Sequence, residues 1–375
     1  MLKFSCGYAT GGISMLKELL CEYNLPSLPK NDVRKNCLEI FQKYVYGYIP
    51  EKPKTLMWET VGEPDRSFGG GKAFPTTVRL YGTLQNGREY SFPINVCVPE
   101  KAKNMPFFVH LNFRPNIPDK YQPTEEILDN GFAVLSFCYK DVTSDDGDFT
   151  NGIAGAFYPD GQRKGAHDPG KIALWAWAAM RVLDYAQKVF ADKLDFSNVA
   201  VAGHSRLGKT ALLCGAYDER FKFVFSNDAG CTGDALERNK TVLSNGKRSE
   251  TIKDITKNFP YWFCPEYLSF ADKGADALPF DQHFLLVCTA PRFLYTAMAQ
   301  EDYWADQRNQ FMGLYAASEY YKSLGLDGLI CPDRLPLAGE SFPYGNVGCH
   351  FRPGVHSQNR TDWLGYMNFF KIHMN

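Results

Sequence analysis

The sequence predicts an α/β fold with a mostly parallel central sheet, opened by an antiparallel hairpin and covered by helices on both faces in three layers. Three observations predict it. From Phe107 onward, compact apolar segments of strand length alternate with helical stretches at the short spacings of βαβ units. Before that, two period-two segments, Thr77 to Gly82 and Tyr90 to Val98, flank Asn86-Gly87, a strong hairpin-turn signal. Finally, no internal repeat, low-complexity tract or compositional break interrupts the 375 residues, so the chain reads as one α/β domain over 1–375.

Taken in order, residues 1–60 form a leading helical arm, patterned around Leu16, Leu19 and Leu20 and again from Val33 to Tyr46, and broken by Pro26, Pro29, Pro50 and Pro53. The hairpin follows, then strands at Phe107 to Leu111 and Phe132 to Phe137. A long polar loop from Lys140 to Pro169 leads into a helix from Gly170 to about Val189. Asn198 to Ala202 is a strand, Gly203 to Gly208 a turn, Lys209 to Tyr217 a helix and Phe223 to Ser226 a strand. Residues 229–282 are polar and aromatic with weak periodicity, as expected of a substrate-facing insertion. Phe293 to Ala299 is the last strand that patterning supports, followed by helices at Gln307 to Leu324 and Asp362 to Ile372.

Composition narrows the function. With 45% hydrophobic residues and 41 Lys+Arg against 42 Asp+Glu, this is a globular, enzyme-sized chain of net charge −1. The balance, with no long basic run, offers no footprint for nucleic acid, and no basic amphipathic stretch argues for a membrane surface. The longest apolar run, Ile172 to Met180, falls far short of the roughly 18 residues of a membrane span. Lys3 is followed by Ser5, Cys6, Gly7, Gly11 and Gly12, which is not the pattern of a secretory signal. Eleven cysteines scattered without C-x-x-C pairs suggest neither a disulfide framework nor a zinc site, and read as reduced thiols of a cytoplasmic protein.

The sharpest chemical feature is Val199-Ala-Val-Ala-Gly203-His204-Ser205-Arg206-Leu207-Gly208-Lys209, a serine at a strand-to-helix corner with glycines on both sides. A nucleophile needs this: small residues where the chain reverses, a hydroxyl held clear of the sheet, and a helix N-terminus beside developing negative charge. Here the second glycine comes three residues after the serine, not two. The bland alternative is a serine that merely caps a helix. A serine nucleophile requires an acid and then a histidine later in the chain. Among seven histidines, His350 and His356 fall between the last anticipated strand and the closing helix, with His356 in a loop after Pro353-Gly354. His283 and His110 read as structural. For the acid, Asp228 competes with Glu301 and Asp302, all at strand C-terminal ends, where open α/β sheets assemble their sites.

Gly203-His-Ser-Arg-Leu-Gly-Lys209, Asp218-Glu-Arg220, Asp281-Gln-His283, Ala290-Pro-Arg292, Trp304-Ala-Asp306, Arg352-Pro-Gly-Val-His356 and Asp362-Trp363 together resemble the bacterial branch of carbohydrate esterase family 15, the glucuronoyl esterases, over roughly residues 74–375. The resemblance implies an α/β-hydrolase fold, no metal and no cofactor, and cleavage of esters joining (4-O-methyl-)glucuronic acid of glucuronoxylan to lignin alcohols. It further implies Ser205 as nucleophile, His356 as general base and Arg206 at the oxyanion. Asp228 ranks first as the acid, in the setting Asn227-Asp228-Ala229-Gly230, with Glu301 or Asp302 as substitutes. Lys209 and Glu250 match positions that hold sugar hydroxyls, and Trp304 one that stacks on a sugar face. Fungal members pair a cysteine beside the serine with one beside the histidine; His204 and Ser357 stand there, so that disulfide is absent. A monomer is expected, and the family expectation of export opposes the cytoplasmic reading.

Two rival functions remain. One is an acetyl-xylan or other sugar-acyl esterase, since a triad is indifferent to which side of the ester carries the sugar. The other is a catalytically weakened carbohydrate-binding relative. A dinucleotide-binding enzyme ranks lower, because Gly69-Gly-Gly71 precedes a strand and no G-x-G-x-x-G follows one.

Overall fold

The computed structural model describes residues 14–374, so Cys6 and the stretch from which the absence of a secretory signal was read lie outside the described residues. Ten strands form one sheet: β1 (Met57–Val61), β2 (Thr76–Thr83), β3 (Glu89–Cys97), β4 (Met105–Asn112), β5 (Ala133–Cys138), β6 (Leu194–His204), β7 (Phe223–Asn227), β8 (Phe293–Ala299), β9 (Glu340–Phe342) and β10 (Val347–Arg352). Their order is β1-β2-β3-β5-β4-β6-β7-β8-β10-β9. The run from β5 to β10 is parallel, while β1, β2 and β3 at one edge and β9 at the other pair antiparallel.

Alternation along the strands divides the interior into two cores. Phe107, Val109, Val199, Val201, Val224 and Leu294 face one cluster, shared with the helices Lys171–Val189 and Arg206–Tyr217 and with the N-terminal arm. Phe108, Ala200, Ala202, Phe225 and Tyr295 face the other, closed by Trp363, Tyr366 and Phe370 of the helix Arg360–His373. A strand buried on both faces must be apolar at every position, which is why these segments read as continuous runs. The result is the three-layer arrangement expected.

Several boundaries differ from expectation. The helix after the glycine-flanked serine begins at Arg206, not Lys209, because the reversal is completed within one residue. β10 lies beyond the last strand anticipated, and β1 and β9 were not anticipated; β1 is exposed along its whole length, so it lacks the alternation that marks a half-buried strand. The polar loop after Lys140 contains the short helix Gly152–Phe157. Within 229–282 the chain forms the helix Ile252–Asn258 and short 3₁₀ turns. Nine described cysteines are free, but Cys21 is disulfide-bonded, so the reading of every cysteine as a reduced thiol fails there.

The turn that positions the site is fixed by two glycines. β6 ends at His204, Ser205 takes φ 57° and ψ −125°, and the helix starts at the next residue. A Cβ on Gly203 would lie 2.2 Å from the Leu207 carbonyl oxygen, so only glycine lets strand and helix approach this closely. A Cβ on Gly208 would lie 3.1 Å from Ala229 Cβ and 3.2 Å from the Asn227 carbonyl oxygen. That glycine therefore serves helix-to-strand packing, which accounts for its place three residues after the serine. Gly203→Ala is expected to destabilise the fold by about 1–3 kcal/mol through forced backbone displacement, read from the midpoint of denaturant unfolding; an unchanged midpoint would show that the turn tolerates a side chain.

Candidate active site

Ser205 sits at the C-terminal end of β6, where the parallel sheet opens. Its backbone N–H donates to the Asn227 carbonyl at 2.8 Å, which ties the turn to β7. Its side chain makes no capping hydrogen bond to the helix it precedes, so the reading of Ser205 as an ordinary helix cap is not supported. A positive φ at a residue with a side chain is uncommon and marks a conformation the surroundings impose.

His356 lies in the loop after β10, and Arg352 fastens that loop. The Arg352 guanidinium donates to the carbonyls of Pro353 at 3.1 Å and Val355 at 3.2 Å, and to that of Ser357. Its Nε donates to Asp362 at 2.9 Å. Asp362 also accepts from the Asn359 N–H at 2.7 Å, closing the capping box of the last helix. The Glu301 N–H donates to the Gly354 carbonyl at 2.9 Å, joining the same loop to the turn after β8. The His204 ring, one residue from Ser205, lies 4.4 Å from the His356 ring, centroid to centroid. The histidine loop is thereby packed against the residue that precedes Ser205. His204 itself is bound through Nδ1 to Asn227 Oδ1 at 2.5 Å, and burial holds its pKa well below the usual histidine value.

The three candidate acids separate. Nδ1 of His356 donates to Oδ2 of Asp302 at 2.5 Å, and this carboxylate is 5% exposed. Asp302 is held by the tight turn after β8, with its N–H on the Ala299 carbonyl at 3.2 Å. Asp228, ranked first from sequence, does not make that bond. Its Oδ1 accepts from the Ala299 N–H at 2.9 Å, and its Oδ2 has no hydrogen-bond partner, with Arg352 Nη2 3.6 Å away. Complete burial, and then the charges of Asp302 and Asp362, raise its pKa well above the carboxylate range. The shorter side chain makes no hydrogen bond to the imidazole. Glu301 is exposed, and only its backbone takes part. Asp228, Asp302 and His356 have ligand atoms within 4.8 Å of one another, but the short bond between His356 and Asp302 already occupies the donor a metal would need on that side.

Arg206 and Lys209 lie on the first turn of the helix that follows Ser205, and Trp304 lies two residues past Asp302. Arg206 pairs with Asp145, on the loop after β5. Lys209 is buried, donates through Nζ to the Ala229 carbonyl, and has its pKa lowered by burial against the opposing pull of Glu250. Glu250 is buried too; desolvation raises its pKa and Lys209 lowers it. Its N–H donates to the Trp304 carbonyl at 3.0 Å, so the two residues from distant segments lie together. Asp306, with φ 60°, caps the helix Gln307–Ser323 and binds Thr241 Oγ1 and Ser249 Oγ, both at 2.6 Å, which anchors the segment carrying Glu250. Trp304 is 50% exposed and offers an uncovered ring.

The remaining histidines are structural. His110 is buried between Gln122 at 2.8 Å and Gln358 at 3.4 Å. His350 lies within β10, not after the last strand, between Tyr295 at 3.0 Å and Asp362 at 2.9 Å. His167, His283 and His373 bond to the carbonyls of Lys43, Pro26 and Pro343. Sequence reasoning missed Asp145 and the clamp of Arg352. Asp145 sat in a polar loop with no periodic signal, and Arg352 was noted only as part of a motif.

Residues 83–325 match the family model described as glucuronyl esterase, fungi. A curated carbohydrate esterase from an unknown prokaryotic organism is 30% identical over 92% of this chain and 85% of its own length. The 4-O-methyl-glucuronoyl methylesterase of Hypocrea jecorina is 24% identical over 89% of this chain, which spans 64% of that protein. Among solved structures, a promiscuous CE15 esterase from a marine bacterial metagenome superposes with a TM-score of 0.78 at 28% identity, covering 95% of this chain and 99% of the other. The glucuronoyl esterase from Solibacter usitatus gives 0.79 at 28% identity over 92% and 93%. With the sheet, the serine corner and the histidine loop in these positions, the fold is that of the α/β-hydrolases, and the chain belongs to the glucuronoyl esterase family, carbohydrate esterase family 15.

Proposed function

We propose that this esterase cleaves the ester between the carboxyl group of (4-O-methyl-)glucuronic acid on glucuronoxylan and an alcohol of the lignin type, through an acyl-enzyme on Ser205. The observation that carries the reading is the 2.5 Å bond from His356 to Asp302, on a loop packed against His204, the residue before Ser205. In this reading His356 removes the Ser205 proton as the hydroxyl attacks the uronoyl carbon. Asp302 keeps the imidazole in one orientation and stabilises its charged form. The same imidazole then hands the proton to the departing alcohol, and later deprotonates the water that releases the uronic acid. Arg206 supports the oxyanion as a fixed cationic donor. Lys209 and Glu250 receive sugar hydroxyls, and the open face of Trp304 receives the sugar ring.

Asp302, not Asp228, is the acid of this mechanism. Burial and the neighbouring charges of Asp302 and Asp362 raise the pKa of Asp228, which disfavours a second negative charge beside the base. Benzyl glucuronate and 4-nitrophenyl acetate, assayed side by side, test the substrate class and the acid together. Ser205→Ala should abolish uronate ester turnover, and Asp302→Asn should lower kcat by about three to four orders of magnitude. Asp228→Asn should stay within about tenfold of the parent. Collapse of Asp228→Asn with survival of Asp302→Asn would reverse the assignment, and turnover of the acetate alone would favour the sugar-acyl esterase reading.

Stability gives an independent check on Asp228. Its folded-state pKa is raised, so the carboxyl costs nothing below its unfolded value of about 3.9 and costs progressively more as pH rises from there toward the folded value. Asp228→Asn should therefore gain stability relative to the parent from about pH 4 upward, as measured by urea unfolding at a series of pH values. A relative loss that deepens with pH would mean that Asp228 is ionised in the native state. For the sugar platform, Trp304→Ala should raise KM for a xylo-oligosaccharide ester about tenfold with kcat nearly unchanged. An unchanged KM would remove Trp304 from the binding surface.

A further inference from the structure

Arg206 is not a mobile surface cation. Its Nη1 donates to Oδ2 of Asp145, a carboxylate only 6% exposed. The same carboxylate accepts from Trp262 Nε1 at 2.7 Å on Oδ1 and from the Tyr139 hydroxyl at 2.9 Å on Oδ2. The Tyr261 hydroxyl donates to the Asp145 backbone carbonyl at 3.1 Å. The guanidinium carbon lies 4.7 Å from the Trp262 ring centroid, and that ring stacks on Phe259 at 3.9 Å with 2° between planes. Two directions are thus fixed, one by the ion pair and one by the aromatic face.

The loop behind Asp145 is equally tied down. The buried Lys171 donates through Nζ to Thr143 Oγ1 at 2.8 Å and to the Asp148 carbonyl at 2.6 Å, bracketing Asp145 in sequence. The Ser144 N–H donates to Asn151 Oδ1 at 2.8 Å. One atom of the assembly is left unpaid: Nε of Arg206 is buried and has no acceptor. A buried donor of a charged group without a partner is costly, and that cost is recovered when an acceptor arrives. Fixing an arginine costs rotamer freedom, and here the ordering is done before substrate binds.

We propose that Asp145 is a positioning residue for acyl transfer, holding the Arg206 guanidinium over the Trp262 ring, one residue past Ser205, as a fixed cation for the oxyanion. The proposal rests on the reading of Arg206 as the oxyanion donor. Asp145 acts through Arg206 alone, so its removal should matter only while that arginine is present.

The test is a double-mutant cycle on benzyl glucuronate hydrolysis with wild type, Asp145→Asn, Arg206→Ala and the double variant, each checked for its melting temperature. Asp145→Asn is expected to lower kcat about ten- to a hundredfold with KM within about threefold. In the Arg206→Ala background the same change should cost less than about twofold. An equal loss in both backgrounds would make Asp145 a structural residue and overturn the proposal. Activity sensitive to Arg206→Ala but untouched by Asp145→Asn would overturn it alone, while full activity of Arg206→Ala would remove the oxyanion reading and this proposal with it. Should Asp145→Asn fail to fold, Trp262→Phe deletes one donor to the same carboxylate. It is expected to lower kcat by a smaller factor that again disappears in the Arg206→Ala background, and persistence of the loss there would contradict the proposal.

Discussion

The reversal of the chain at Ser205 is a strained conformation, costing on the order of 1–3 kcal/mol for a residue with a side chain, and it persists because its surroundings leave no other path. The register of β6 on β7 sets His204 opposite Asn227, and the Ser205 N–H is satisfied by the carbonyl of that same asparagine. Gly203 admits the Leu207 carbonyl, Gly208 admits the end of β7, and Leu207 between them is fully buried. The helix is thus pressed onto the sheet immediately after the turn, and the hydroxyl is left outside both. The other groups of the candidate site are arranged around that point: the histidine loop against His204, the Asp302 that bonds His356 in the turn after β8, and Arg206 one residue past the reversal.

Charge balance is the second constraint. Asp228, Asp302 and Asp362 crowd one region, and Coulomb repulsion among three buried carboxylates would be prohibitive without compensation. Arg352 compensates Asp362 at 2.9 Å and, with its remaining donors, holds the carbonyls of the loop that carries His356. Asp302 is left with the imidazole, and burial with its neighbours' charges raises the pKa of Asp228. One arginine therefore pairs with an acid that caps the last helix and gives the His356 loop its shape. That coupling links the far face of the sheet, where Trp363 and Phe370 pack, to the position of His356.

Much of this was legible in the residues. The βαβ spacing, the Asn86-Gly87 hairpin and the glycine-flanked serine are local signals, and local physics decides them. β8 matches its apolar run, Phe293–Ala299, to the residue. β10 was not legible, because Val347–Arg352 ends in His350 and Arg352, polar residues whose partners Asp362 and Tyr295 are distant in sequence. The partner of His356 was not legible for a related reason: position after β7 made Asp228 attractive, but reach to an imidazole depends on how two loops meet across β7, β8 and β10. Nothing within a few residues of Asp302 reports that. Asp145 is the extreme case, since its three side-chain donors, Tyr139, Arg206 and Trp262, come from three separate segments.

The central claim is that a uronoyl group is carried covalently on this enzyme between release of the alcohol and attack by water. Partitioning with an added alcohol tests it most directly: benzyl, methyl and phenylpropyl esters of glucuronic acid are hydrolysed in the presence of a fixed concentration of ethanol, and the ratio of ethyl uronate to free uronic acid is measured for each. A common acyl-enzyme has lost its first alcohol before it partitions, so the ratio should be the same for all three esters. A ratio that changes with the departing alcohol would contradict the account, because water and ethanol would then be attacking the bound ester itself.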